Sequence, residues 1–148
     1  MPTITFGTSG WRAHLADDFT IPNVRVATQA IARHLQATGH AGHGVLLAYD
    51  PRFLGRRFCE AAAEVLAGHG IKSFITVRDT PTPVVAFEQL RRGLDGAINF
   101  TASHNPYEYG GLKFNPYWGG PATKDITKDI EKRAAEAETA GPLAIQKL

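Results

Sequence analysis

The order of residue patterns along the chain predicts an α/β fold, a three-layer α/β/α domain around a mainly parallel (mixed) sheet. Three observations carry that prediction. Short runs rich in β-branched and aromatic residues alternate with segments of helical spacing. The connections between them are short and marked by Gly and Pro. The run GVLLAYD at 44–50 is apolar enough to be buried on both sides, as a strand inside a covered parallel sheet must be.

Taken in order, residues 3–6 (TITF) read as a short first strand ended by Gly7. Thr20 is a plausible N-cap with Pro22 suited to the first turn, and Val24, Ala27, Ile31 and Leu35 fall on one helical face until Gly39. After the strand at 44–50, a second helix covers about 56–67 and stops at Gly68-His69-Gly70. IKSFITV at 71–77 is the next strand. Thr80-Pro81-Thr82-Pro83 starts a third helix that Gly93 ends, and a strand over 96–100 follows. Residues 112–115 form a candidate short strand after Gly110-Gly111, and a last charged helix runs over about 123–137. The expected domain spans 1–138, with 139–148 as the start of a linker.

Composition excludes several classes of function. With 148 residues, the chain holds one well-packed domain. A net charge of +2, with scattered Lys and Arg, leaves no nucleic-acid footprint; Arg56-Arg57 and Arg91-Arg92 read as solvated helix positions. The single cysteine, Cys59, forms no internal disulfide and reads as a buried helix residue. There is no signal-like N-terminus and no bilayer-length apolar run, so no membrane partner is expected and the cytoplasm is the expected location. The sequon at Asn99-Phe100-Thr101 reads as chance.

The chemistry lies in the connections. Open α/β sheets gather functional loops beyond the carboxyl ends of their strands, which predicts that residues 7–12, 49–52 and 101–106 converge. Ser103-His104 invites a serine-hydrolase reading, yet the G-x-S-x-G elbow is absent and neighbouring side chains on extended backbone point apart. A Ser/Asn-rich turn stabilised by side chain to backbone hydrogen bonds is the plain alternative. No Walker sequence and no zinc-ligand spacing is present, and His40, His43 and His69 sit where helix-end roles are expected. The loop Gly7-Thr8-Ser9-Gly10-Trp11-Arg12 joins exposed amides and hydroxyls to a guanidinium, a combination that suits an anionic group such as phosphate. With Lys113 between glycines and Phe114, these side chains together point to phosphoryl chemistry at the Ser103 hydroxyl.

FGTSGWRA (6–13), AYDPRF (48–53), TPTPVV (80–85), TASHNPYEYGGLKFNP (101–116) and GGPA (119–122) resemble the N-terminal domain of the α-D-phosphohexomutase family, the phosphoglucomutase and phosphomannomutase group. The resemblance spans nearly the whole chain in order. It implies that Ser103 is a phosphoserine that passes its phosphoryl group to a hexose monophosphate, forms a hexose 1,6-bisphosphate and recovers the other phosphate. It further implies that the phosphate on Ser103 is one ligand of a magnesium ion, and that His104 and Lys113 serve proton transfer and charge stabilisation. By the same resemblance Arg12, with Ser9 beside it, holds the phosphoryl group or substrate phosphate, and Arg52 is a supporting phosphate contact. The tryptophan of GTSGWRA leans towards a phosphoglucomutase-like member.

The departures limit what is expected of the chain alone. Family members span four domains. Their acidic magnesium loop, sugar-reading G-E-x-S-G loop and terminal phosphate-binding loop have no counterpart here, and no D-x-D-x-D spacing occurs. The expected partners are therefore a hexose phosphate substrate and the remaining three domains. The 148 residues alone are expected to be inactive, the alternative being an inert sugar-phosphate-binding or scaffold module.

Overall fold

The computed structural model describes residues 4–7 and 10–148; Thr3 and Ser9 lie outside the described residues. Nine elements follow in order: β1 (Trp11–His14), α1 (Ile21–Ala37), β2 (Val45–Tyr49), α2 (Gly55–Gly68), β3 (Ser73–Ile75), α3 (Thr82–Arg91), β4 (Gly96–Phe100), β5 (Tyr109–Pro116) and α4 (Lys124–Thr139). Helix α1 begins where local chemistry starts it: the Thr20 hydroxyl accepts from the Asn23 amide at 3.4 Å, and Pro22 occupies the first turn. Helix α2 buries Phe58, Ala62, Val65 and Leu66 at helical spacing, with Cys59 fully buried among them.

The strands form one sheet in the order β1-β5-β4-β2-β3. β2 pairs in parallel with β3 and β4, whereas β5 runs antiparallel to both β4 and β1. The sheet is thus mixed in equal measure. Alternation along the strands sorts two cores. Trp11, Val45, Leu47, Ile98, Phe100, Leu112 and Phe114 pack with residues of α1, α2 and α4. Leu46, Ala48 and Ala97 face the other way, onto Val85 of α3 and Leu94.

Four expectations are corrected. Residues 4–6 form no strand; Ile4 and Phe6 are buried as irregular chain, and the Phe6 amide donates to Glu131 Oε1 at 2.6 Å instead of to a strand neighbour. The edge strand is β1, paired Trp11 to Leu112 through His14 to Tyr109, so Arg12 lies within a strand and not on a loop after one. The strand expected at 112–115 extends to eight residues and takes in both glycines, because β5 is flanked on both sides. The strand expected over 71–77 shrinks to three residues at the sheet edge, with Val77 exposed to solvent.

Residues 139–148 lie back across the helical layer, where the Gln146 amide donates to the Glu64 carbonyl at 2.9 Å and the Ala144 amide to Gln29 Oε1 at 3.2 Å.

Candidate active site

β2 continues through α2 to β3 on one side, whereas β4 continues directly to β5 on the other. The chain leaving these adjacent strands therefore diverges at their carboxyl ends, the geometry that opens a crevice in an α/β sheet. Residues 50–54 form one lip and 101–106 the other. A cleft of about 680 Å³ lies there, lined by Arg52, Thr80, Thr82, Asn99, Ser103 and Asn105 among others.

The serine sits on a tight turn rather than on extended backbone. The Asn105 amide closes it onto the Ala102 carbonyl at 3.1 Å, and the Ser103 amide donates to Thr101 Oγ1 at 3.1 Å. Ser103 takes φ 57°, a left-handed conformation uncommon for a residue with a Cβ. Ser103 and His104 are both exposed. The turn therefore lifts the hydroxyl off the strand end into the cleft. Beneath it, Gly111 is required: a Cβ there would overlap the Thr101 carbonyl and crowd Ala102 Cα, where β5 passes under the base of the turn.

Arg52 holds this turn. Its Nε donates to Asp50 Oδ2 at 3.1 Å. Nη1 donates to the carbonyls of Pro106 and Tyr109 at 2.7 and 3.2 Å, and Nη2 to those of Ser103 and Asn105 at 2.9 and 2.7 Å. All five guanidinium donors are thereby used within the protein, which makes Arg52 a positioning residue for the serine turn. Arg12 reaches the same turn from β1, its Nη1 donating to Asn105 Oδ1 at 2.8 Å. The three segments thus meet at the serine turn.

Lys113 is half-buried on β5 and faces an adjoining cavity of about 310 Å³; this cavity and the serine cleft share Thr82 as a common wall. Burial, and then the nearby Arg12 charge, push its ammonium below the ordinary lysine range. Ser103 and Lys113 therefore occupy two adjoining hollows. Ser9, beside Arg12 in sequence, lies outside the described residues. Among the described residues, no three His, Cys, Asp or Glu side chains gather where they could hold a metal ion. Asp50, the carboxylate at the rim, is bound by Arg52. The residues present do not by themselves fit a magnesium site.

Four contributors were not singled out from sequence: Asn105, Thr101, Thr82 and Asn99. Asn105 and Thr101 lie inside the TASHNP motif, and Thr82 inside TPTP, so the motifs marked them without revealing their partners. Asn99 is 3% exposed on β4 and its Nδ2 donates to Thr82 Oγ1 at 3.0 Å, which places the formal sequon inside the core. His40, His43 and His69 are remote from the cleft: His40 stacks on Tyr117, His43 Nδ1 lies 3.1 Å from Asp95, and His69 caps α2.

The chain matches "Phosphoglucomutase/phosphomannomutase, alpha/beta/alpha domain I" over residues 3–141. It is 37% identical over 140 residues to a phosphoglucomutase of Komagataeibacter xylinus, covering 88% of this chain and 25% of that protein. It is 35% identical over 142 residues to a Schizosaccharomyces pombe protein assigned as a phosphoribomutase, covering 88% and 24%. Among solved structures, a Thermus thermophilus protein assigned as a phosphomannomutase superposes with TM-score 0.89 at 34% identity, covering 99% of this chain and 32% of the other. The chain thus spans about a quarter to a third of the length of these relatives.

Proposed function

The chain belongs to the phosphoglucomutase/phosphomannomutase family as its alpha/beta/alpha domain I, and from that premise we propose that Ser103 is the phosphoryl carrier of a sugar-phosphate mutase. The observation that carries this reading is the serine turn itself. An exposed hydroxyl stands at φ 57° over a sheet crevice, its backbone held by Arg52 and its neighbour Asn105 held by Arg12.

In the proposed reaction the bond between Ser103 Oγ and phosphorus breaks as a free hydroxyl of a hexose monophosphate attacks. The hydroxyl proton leaves to a base, the released Ser103 Oγ takes up a proton, and a hexose 1,6-bisphosphate forms. After the sugar turns over, Ser103 Oγ takes back the other phosphoryl group, so that the 1-phosphate and 6-phosphate interconvert. His104, exposed on the turn, is the proposed proton carrier. Lys113 and the Arg12 donors that have no partner among the described residues stabilise charge on the transferring group, which is where such a transition state is helped most. Ser9 is proposed as a further phosphate contact. Arg52 acts by holding the turn. In the longer protein magnesium is proposed to meet the phosphate on Ser103, with its carboxylate ligands supplied from outside these residues. Which sugar phosphate is taken is left to those other parts; the phosphoribomutase assignment of one relative makes a pentose phosphate worth testing beside the hexoses. Among the described residues no helix is long and apolar enough to cross a membrane, and we place the protein in the cytoplasm.

The test is a coupled glucose 1-phosphate assay with magnesium and a bisphosphate activator. The longer protein turns over, and Ser103→Ala lowers kcat by at least about a thousandfold, on the scale by which loss of a covalent carrier abolishes catalysis. The 148-residue chain alone shows no turnover, because orientation of the sugar and its charge partners are missing. An unimpaired Ser103→Ala enzyme would overturn the phosphoserine reading. A longer protein inert towards every sugar phosphate, while still binding one, would favour the binding module.

A further inference from the structure

Lys113 has no carboxylate partner among the described residues and lies beside a like charge, Arg12. The other walls of its cavity, including Thr82, Pro83 and Ala86 from α3, Phe6 and Gly7 from the amino-terminal segment and Thr127 from α4, carry no charge. Its stem runs close over Gly10, where an added Cβ would stand 3.0 Å from Lys113 Cγ. A half-buried ammonium in such surroundings needs an acceptor.

One acceptor nearby is itself without a partner. Asn99 Oδ1 is buried and makes no hydrogen bond. The Nδ2 of the same carboxamide is fixed by Thr82 Oγ1, which turns the oxygen away from Thr82. In the β4/β5 ladder Asn99 stands directly opposite Lys113, so both side chains leave the same face of the sheet. Directly opposed residues have their Cβ atoms about 4.5–5.5 Å apart, within reach of a lysine stem. Among the described residues, an acceptor and a cation that both lack partners are thus cross-strand neighbours at the wall between the serine cleft and the lysine cavity.

We propose that Asn99 is a positioning residue whose Oδ1, unpartnered in this structure, becomes the acceptor for the Lys113 ammonium when the lysine side chain turns across the strand pair, holding that amine charged at the edge of the serine cleft until a phosphoryl oxygen takes its place. The contact itself needs only this chain; its catalytic consequence rests on the phosphoserine reading above. Asn99 does this through Lys113 and not by touching the sugar, since its oxygen is buried.

The test follows the Lys113 Nζ resonance of the 15N-lysine-labelled 148-residue chain through a pH titration, assigned with Lys113→Arg. Asn99→Leu removes the acceptor and lowers the Lys113 pKa further, by about half a unit or more, the scale of losing a hydrogen bond to the charged form. Asn99→Asp places a carboxylate opposite the ammonium and raises it. In the unsubstituted chain the Lys113 ammonium protons exchange with water more slowly than those of Lys124 and Lys128, so the proposal remains testable even where a variant does not fold. An unchanged Lys113 titration in both folded variants, or ammonium exchange as fast as at the exposed lysines, overturns it. If the titrations respond as expected while the longer protein shows no mutase turnover, the phosphoserine reading fails and the Asn99–Lys113 contact stands.

Discussion

At the amino end of β4 the carboxylate of Asp95 accepts from the backbone amides of His43 and Gly44 at 2.5 and 3.1 Å; at the carboxyl end the guanidinium of Arg52 donates to three backbone carbonyls of the serine turn and to that of Tyr109 at the start of β5. Both ends of one strand are therefore tied to neighbouring chain by a single charged side chain. At the amino end the result is closure: Asp95 is 4% exposed, and the segment it holds carries no strained serine. At the carboxyl end the result is presentation, a left-handed exposed hydroxyl above a cleft.

Cavities teach the same difference. A hollow of about 450 Å³ lies at the amino end, lined by His34, Phe114, Trp118, Asp129 and others. One of its carboxylates is already matched: Asp129 is held below the usual carboxylate range first by Arg133 and then by His34, at 2.8 and 2.7 Å. The serine cleft is flanked by Arg12, Arg52 and Lys113, and among the described residues its one lining carboxylate, Asp50, is consumed by Arg52. Volume does not separate the two hollows; unmatched positive charge beside an exposed hydroxyl does.

The largest expected effect that would break this comparison is at Arg52. Arg52→Lys removes a planar set of five donors that one ammonium cannot replace. The chain should lose about 2–3 kcal/mol of stability by denaturant unfolding, the range for hydrogen bonds to a charged group. Amide exchange should accelerate across residues 103–109, with 43–44 unchanged. Uniform exchange at both ends would show that Arg52 does not hold the turn selectively.

Asp95→Asn should act at the opposite end and less strongly, since one acceptor oxygen remains. A loss of about 1–2 kcal/mol is expected. Exchange should quicken at His43 and Gly44 while the chemical shifts of Ser103 and Asn105 stay in place. Perturbation of the serine turn would mean that the two ends of β4 are coupled.

The smallest effect sharpens the electrostatic contrast. Because the Lys113 pKa is lowered in the folded chain, its protonation is less favourable there than in the unfolded chain, and stability rises with pH between the folded value and the unfolded value of 10.5. Lys113→Met removes that penalty. It should raise Tm slightly at pH 7, with the gain disappearing as pH approaches 10.5. A Tm lowered at pH 7 would show that hydrogen bonding of the ammonium, the proposed bond to Asn99 included, outweighs its burial and the Arg12 charge.

By itself the sequence determined the helices, the polarity of the loops and the catalytic candidate. Thr20 with Pro22 and the apolar spacing of Val24, Ala27, Ile31 and Leu35 are local signals, so α1 was legible to within a residue or two. The TASHNP motif likewise marked Ser103, through its resemblance to the family's serine loop; the residue chemistry alone left a plain Ser/Asn-rich turn open. Tertiary structure decided which apolar run near the amino terminus becomes a strand, since β1 exists only by pairing with β5, about a hundred residues on. It also decided the meaning of Arg52, whose carbonyl partners are 51 to 57 residues away, and of Asn99, whose neighbour opposite is Lys113. The physical reason is the range of the interactions. Caps and amphipathic periods are written within a few residues, whereas strand pairing and the carbonyls a guanidinium finds depend on chain brought together only when the sheet closes.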